Sequence, residues 1–221
     1  MYPTIKNNKA FYIPYLLIFL FCVIITILYT KADIHIFLNH FHIPFFDFFF
    51  RYITNLGDGI VLPFFLLIIA FIRFRDALLF LMVWLLSGLV VQILKRTIFA
   101  DIVRPAEFFK GVYDLFLVPG VKQYYLHSFP SGHSATAFGY MICFAYLIKN
   151  NWLKFLLLLF ACTIAYSRVY LSQHFLIDIT FGSFLGILSA TTLSYYVRLF
   201  KAAWLEMNLK TILFKKPEIH D

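Results

Sequence analysis

The sequence predicts an all-α, polytopic membrane protein, with six transmembrane helices and an interfacial amphipathic segment between helices 1 and 2. Hydrophobic residues make up 62% of the 221 positions and charged residues only 14%, against roughly 45–50% and about 25% in a soluble domain. The apolar excess sits in long blocks nearly free of charge. The blocks do not alternate apolar with polar residues, and outside a closed barrel only helices satisfy their own backbone in lipid. A disordered chain, a disulfide scaffold and an ordinary cytosolic enzyme are excluded. The length allows one bundle, a single membrane-embedded domain over residues 1–221.

The first block, Phe11 to Tyr29, carries no charge and is long enough to span. It lacks a small-residue cleavage site and reads as an uncleaved anchor. Lys31 to Gly57 is aromatic and mixed, with His40, Phe41, His42, Phe45, Phe46, Phe48, Phe49 and Phe50, as expected of a helix lying at the interface. The second block starts after Asp58 and runs to Ile72; it is short and contains Pro63, and Arg73 and Arg75 can snorkel to lengthen it. The third is Ala77 to Leu94, the fourth Ser131 to Ile148, the fifth Trp152 to Leu171 and the sixth Ile179 to Val197. The longest loop, Lys95 to Pro130, joins the third to the fourth. Cys22, Cys143 and Cys162 lie far apart inside apolar blocks, without metal-ligand spacing, and read as packing residues.

The net charge is +8. In a membrane protein that surplus collects in cytoplasmic loops and meets anionic lipid, so membrane lipids and not nucleic acid are the expected partners. Eleven of the nineteen basic residues fall on one side: Lys6, Lys9, Arg73, Arg75, Lys149, Lys154, Arg198, Lys201, Lys210, Lys215 and Lys216. The positive-inside rule then puts both termini in the cytoplasm of a multi-pass cell (inner) membrane protein. Blocks three and five run outward and four and six inward. The three–four and five–six turns therefore share the extracytoplasmic face, about forty positions apart in sequence.

Those turns carry the chemistry. The first holds Lys95, Arg104-Pro105 and Pro130-Ser131-Gly132-His133; the second holds Ser167-Arg168, His174 and Asp178. Lys95 and Arg104 supply positive charge, and Arg168 can clamp oxygens bidentately. Ser131, Gly132 and His133 open a helix whose free N–H groups and positive dipole end favour an anion, and Gly132 lets the backbone approach it. His174 and Asp178, spaced i,i+4, share a face if the sixth helix begins early enough; the carboxylate then fixes the tautomer and leaves the other nitrogen nucleophilic. His133 is placed to protonate a leaving oxygen. No carboxylate cluster suited to Mg²⁺ accompanies these residues, so metal-free chemistry with no cofactor is expected. Taken singly, each residue has a plainer reading. Lys95 and Arg96 can simply end a helix, Ser131 and Asp178 can be caps, and His174 can be an ordinary loop histidine.

Taken together, the two clusters resemble the type 2 phosphatidic acid phosphatase family, the membrane branch related to vanadium haloperoxidases and bacterial acid phosphatases. That family has a Lys followed by Arg-Pro, then Pro-Ser-Gly-His, then Ser-Arg with a His six residues after the Arg and an Asp four beyond. The second and third motifs match in full at Pro130–His133 and Ser167–Asp178. The first departs, with eight residues between Lys95 and Arg104 where the family usually has six. Asn39, Pro44, Asp47, Thr54 and Gly57 resemble the looser segment before motif one, so the resemblance covers roughly 35–195. It implies that His174 forms a phosphohistidine, Asp178 orients it, and His133 protonates the leaving group and then activates water. Lys95, Arg104, Ser131, Gly132 and Arg168 would hold the phosphoryl oxygens. The implied substrate is a lipid phosphomonoester or diphosphate with its tail in the outer leaflet, such as undecaprenyl diphosphate, phosphatidylglycerol phosphate, phosphatidate or a lipid A phosphate. Lipid-to-lipid phosphotransfer would use the same site, and a non-catalytic lipid-binding or transport protein is a third reading.

Overall fold

The computed structural model of the chain describes residues 5–213, all of them helix, turn or loop with no strand. Helix α1, Lys9–Leu28, continues from a 3-10 turn at Ile5–Asn8. Helix α2, Lys31–Asn39, is capped by Thr30, whose hydroxyl accepts from the Asp33 N–H at 3.2 Å. Helix α3, Pro44–Ile53, opens on a proline, which needs no N–H partner there. Two 3-10 turns, Thr54–Gly57 and Gly59–Val61, lead into α4, Leu62–Ala70. Then come α5, Phe74–Arg96, and a single turn α6, Pro105–Phe108. The bundle continues with α7, Gly132–Leu147, α8, Asn151–Tyr170, and α9, Leu176–Leu199, and the short α10, Leu209–Leu213, follows.

Among the described residues, four helices are long and apolar enough to cross a membrane: Ile5–Leu28, α5, α8 and α9. Pro44–Gly57 with Gly59–Ala70 forms a fifth candidate, bent by 63°. The expected second span thus has only nine residues of α-helix, because Asp58 is extended and its carboxylate caps the following turn through Ile60 N–H at 3.3 Å. The expected fourth span, α7, has sixteen residues, about 24 Å long, short of a hydrocarbon core of about 30 Å. It is also the central helix, with twelve of its sixteen residues buried, so protein and not lipid surrounds it. The expected interfacial segment is two helices, α2 and α3. The second buries Phe50 and exposes Phe45, Phe48 and Tyr52 together with Arg51, so its outer face mixes aromatic rings with charge.

Helix α7 packs on α9, α8 and α5. Its closest approach is to α9, at Gly182 and Gly186, where any side chain would run into the carbonyls of Ser131 and Ala135. Small residues four apart are a common way for membrane helices to touch backbone to backbone. Here they bring the start of α9 against the start of α7. Phe80, Tyr140, Ile142 and Leu158 fill the core beneath. Helix α1 lies outside, exposing Leu17, Phe21, Ile24 and Ile27.

A polar end closes the bundle opposite the two motif turns. Arg75 donates to Glu206 at 2.5 Å and to the Val197 carbonyl at 2.6 Å; Arg73 pairs with Asp76, and Lys154 donates to the Asn7 carbonyl at 2.6 Å. Arg75 and Lys95 stand at the two ends of α5, twenty residues and so about 30 Å apart. Lys215 and Lys216, used in the orientation argument, lie outside the described residues.

Candidate active site

Every sequence-predicted site residue sits at the mouth formed by the end of α5, the start of α7, the end of α8 and the turn into α9. The condition for a shared helical face, that the sixth expected helix begin by His174, is not met. Helix α9 begins two residues later, at Leu176, and His174 belongs to the turn before it. Contact with Asp178 survives, because the turn folds back over the first turn of α9: His174 Nδ1 is 3.3 Å from Asp178 Oδ2. The same oxygen accepts from Ser128 Oγ at 2.5 Å and from Phe175 N–H at 3.0 Å. With Oδ2 facing Nδ1, Nε2 is the ring nitrogen left for chemistry. Asp178 therefore caps α9 and holds the imidazole with one atom, and the two readings of this residue are compatible.

Both side chains are 2% exposed. Burial first, then the charges of Lys95, Arg104 and Arg168 and the neighbouring His133, hold His174 well below the usual imidazole range. Its ring is neutral at neutral pH, as a nucleophile requires.

The turn itself is braced from outside the motifs. Ser172 is fully buried in the left-handed region at φ +54, a conformation that costs a non-glycine residue about 1 kcal/mol or more. Its hydroxyl meets His35 Nε2 at 3.2 Å and Asn39 Nδ2 at 3.3 Å. Asn39 also exchanges two hydrogen bonds with the Phe116 backbone, at 3.0 and 2.9 Å, so one amide ties α2 to the long loop and to the His174 turn. Asp47 accepts from His42 Nδ1 at 2.9 Å and from the Tyr170 hydroxyl at 2.6 Å. Burial and then His42 push His35 down to about 4, so that ring is neutral too.

The cations are held in different ways. Arg168 is buried; one terminal nitrogen donates to Thr54 Oγ1 at 2.8 Å, and its Nε has no hydrogen-bond partner among the described residues. Arg104 donates to the carbonyls of Leu126 at 2.9 Å and Gln173 at 3.1 Å, so the long loop and the His174 turn share one guanidinium. Lys95 is buried at the end of α5 despite the longer first motif, and its carbonyl meets His127 Nδ1 at 3.2 Å. Ser131 caps α7 by accepting from Ser134 N–H at 3.4 Å, and Gly132 and His133 follow as its first two residues. Gly57 packs against the His133 backbone: a Cβ there would stand 3.1 Å from its carbonyl oxygen. A cavity of about 320 Å³ opens beside His133 and Arg168. No group of three or more His, Cys, Asp or Glu side chains is arranged to hold a metal ion among the described residues.

Three contributors escape sequence reading: Ser128 on Asp178, Gln173 on Arg104, and the Gly182–Gly186 pair, of which only the glycines carry a local signal, in their four-residue spacing. Thr54 is legible only as part of the loosely patterned upstream segment, without its role on Arg168.

A family model described as the PAP2 superfamily matches residues 76–202. The lipid A 4'-phosphatase of Bacteroides thetaiotaomicron is 27% identical over 158 residues, 68% of this chain and 69% of that protein. Among solved structures, Aquifex aeolicus LpxE is similar at 30% identity and TM-score 0.65, over 75% of this chain and 94% of its own. The transmembrane PAP2 type phosphatidylglycerolphosphate phosphatase from Bacillus subtilis is similar at 25% identity and TM-score 0.64, over 86% and 98%.

Proposed function

The chain belongs to the PAP2 superfamily, and from that premise we propose that it is a membrane phosphatase that hydrolyses a lipid phosphomonoester or diphosphate through a phosphohistidine. One observation carries the reading. A buried, neutral imidazole is aligned by a buried carboxylate at 3.3 Å, beside a buried guanidinium whose Nε lacks a partner among the described residues. An unpaired buried donor is costly unless a ligand satisfies it, and a phosphoryl oxygen does so with charge assistance.

In this mechanism His174 Nε2 attacks phosphorus, the bond to the lipid oxygen breaks, and His133 gives that oxygen a proton. The phosphohistidine keeps its proton on Nδ1, facing Asp178. His133 then takes a proton from water, the water oxygen attacks phosphorus, and the N–P bond breaks to restore His174 and release phosphate. Lys95, Arg104, Arg168 and the α7 N-terminus with Ser131 and Gly132 stabilise the charge on the equatorial oxygens. The relatives named above act on lipid A and phosphatidylglycerol phosphate, which supports an amphiphilic substrate here.

The whole chain is read as one membrane unit in which the short α7 and the bent α3–α4 segment complete six passes. Both termini lie in the cytoplasm and the site faces outward, with α2 and α3 at the outer interface. A topology probe belongs at exposed Leu126, since the neighbouring Ser128 is buried.

The test is phosphate release from a panel of lipid phosphates by purified protein in excess EDTA. Turnover is expected with wild type and is abolished in His174→Gln with insertion intact. Turnover by His174→Gln would remove the nucleophile, and activity restored only by Mg²⁺ would remove the metal-free mechanism.

A further inference from the structure

The cavity beside His133 and Arg168 is larger than one phosphoryl group requires. It holds about 320 Å³, where a single water needs only about 10–15 Å³ of such space. Its lining includes two cations that the motifs do not include, Arg51 and Lys122. The Arg51 side chain and the Lys122 backbone are both held by hydrogen bonds. Arg51, at the end of α3, donates to the Pro119 carbonyl at 3.3 Å and lies flat against Gly120, where a Cβ would stand 2.8 Å from its Nη1. The Lys122 carbonyl accepts from Gln173 Nε2 at 3.2 Å, and the Gln123 side chain accepts from the same nitrogen at 2.7 Å. Lys122 is thereby tied to the residue that precedes His174.

The Tyr124 ring gives the scale. Its centroid is 5.3 Å from the Arg104 guanidinium carbon and 5.3 Å from Lys122 Nζ, so these two cations lie within twice that distance. The cavity wall also includes Asp58, whose carboxylate is committed to the Ile60 N–H at 3.3 Å. Arg51, Lys122 and Arg168 outnumber it, and the lining stays cationic.

We propose that Arg51 and Lys122 form a second anion subsite, so that the preferred substrate carries a second phosphate close to the scissile one. This rests on the phosphatase reading. The second phosphate can be joined through an anhydride, as in a lipid diphosphate, or through a short polyol, as a phosphodiester beside the terminal monoester.

The experiment measures phosphate release by the full-length protein in detergent micelles from three lipids of matched tail: a monophosphate, a diphosphate, and a glycerol-bridged phosphodiester bearing a terminal phosphate. Wild type is compared with Arg51→Gln, Lys122→Gln and the double variant. The double variant is expected to lose about tenfold or more in kcat/KM on a two-phosphate lipid, chiefly through KM, and less than about threefold on the monophosphate. Whichever two-phosphate lipid shows the selective loss identifies the linkage. Equal losses on all three lipids, or no loss on any, overturn the subsite while leaving the phosphatase reading intact. No release from any lipid by wild type overturns the phosphatase reading and the subsite with it. If the double variant fails to fold, Lys122→Gln, on an exposed loop residue, carries the comparison alone.

Discussion

Replacing Asp178 by Asn separates the two tasks that its Oδ2 performs. The amide can place its oxygen where Oδ2 stands, still accepting from Ser128 Oγ, Phe175 N–H and His174 Nδ1. The α9 cap and the ring orientation are therefore expected to persist. What disappears is the negative charge beside an imidazole that becomes cationic as its Nε2 bonds to phosphorus. At the observed 3.3 Å and an effective dielectric of about 20, a unit charge pair is worth about 5 kcal/mol. The neutral hydrogen bond that remains recovers about 1 kcal/mol, and residual polar screening takes a little more. A net loss of about 3–4 kcal/mol in the transition state corresponds to a fall in kcat of about 10²–10³. KM should change little, because the cations that grip the phosphate are untouched. The assay is initial-rate phosphate release from a lipid phosphate in micelles, with thermal unfolding of the same preparation as the control for the cap. A kcat within about tenfold of wild type, with unfolding unchanged, would refute the argument and leave Asp178 as a helix cap alone.

Two other outcomes follow from the same geometry. Because burial and nearby cations depress His174, the unfolded chain binds more protons than the native one as pH falls below about 6.5, so stability declines on the acid side. The acid limb of kcat/KM should lie below that pH, and Lys95→Met, by removing one repelling charge, should move it upward; a pH–rate profile showing a downward move would contradict the assigned cause. Gly182→Ala forces a methyl into the Ser131 carbonyl and to 3.1 Å from Ser134 Cβ, whereas a Cβ on Gly88 meets nothing within 4 Å. The first should cost about 1–3 kcal/mol and, by shifting the α7 start, about a hundredfold in activity; Gly88→Ala should leave both unchanged. Similar unfolding temperatures and rates for the two variants would show that this helix contact does not position the site.

Much of this protein is legible from the chain alone. Charge-free blocks mark the long helices, because the cost of placing a charge in lipid depends on the residue itself and not on its neighbours in space. Ser131 and Asn150 announce their helices by the same logic, since a cap bonds to N–H groups two or three residues away. The parity of the blocks brings the two polar turns to one face before any contact is known. Packing decides the rest. The local signals at Asp58 and Asn150 place the breaks in the chain, but the 63° angle between Pro44–Gly57 and Gly59–Ala70 is set by what the two arms pack against. Ser128 reaches Asp178 across fifty positions, and Thr54 reaches Arg168 across more than a hundred. The first of these pairs forms where Gly182 and Gly186 let the start of α9 press against the start of α7. Sequence spacing specifies which groups the site contains, whereas their distances depend on how closely two backbones can approach.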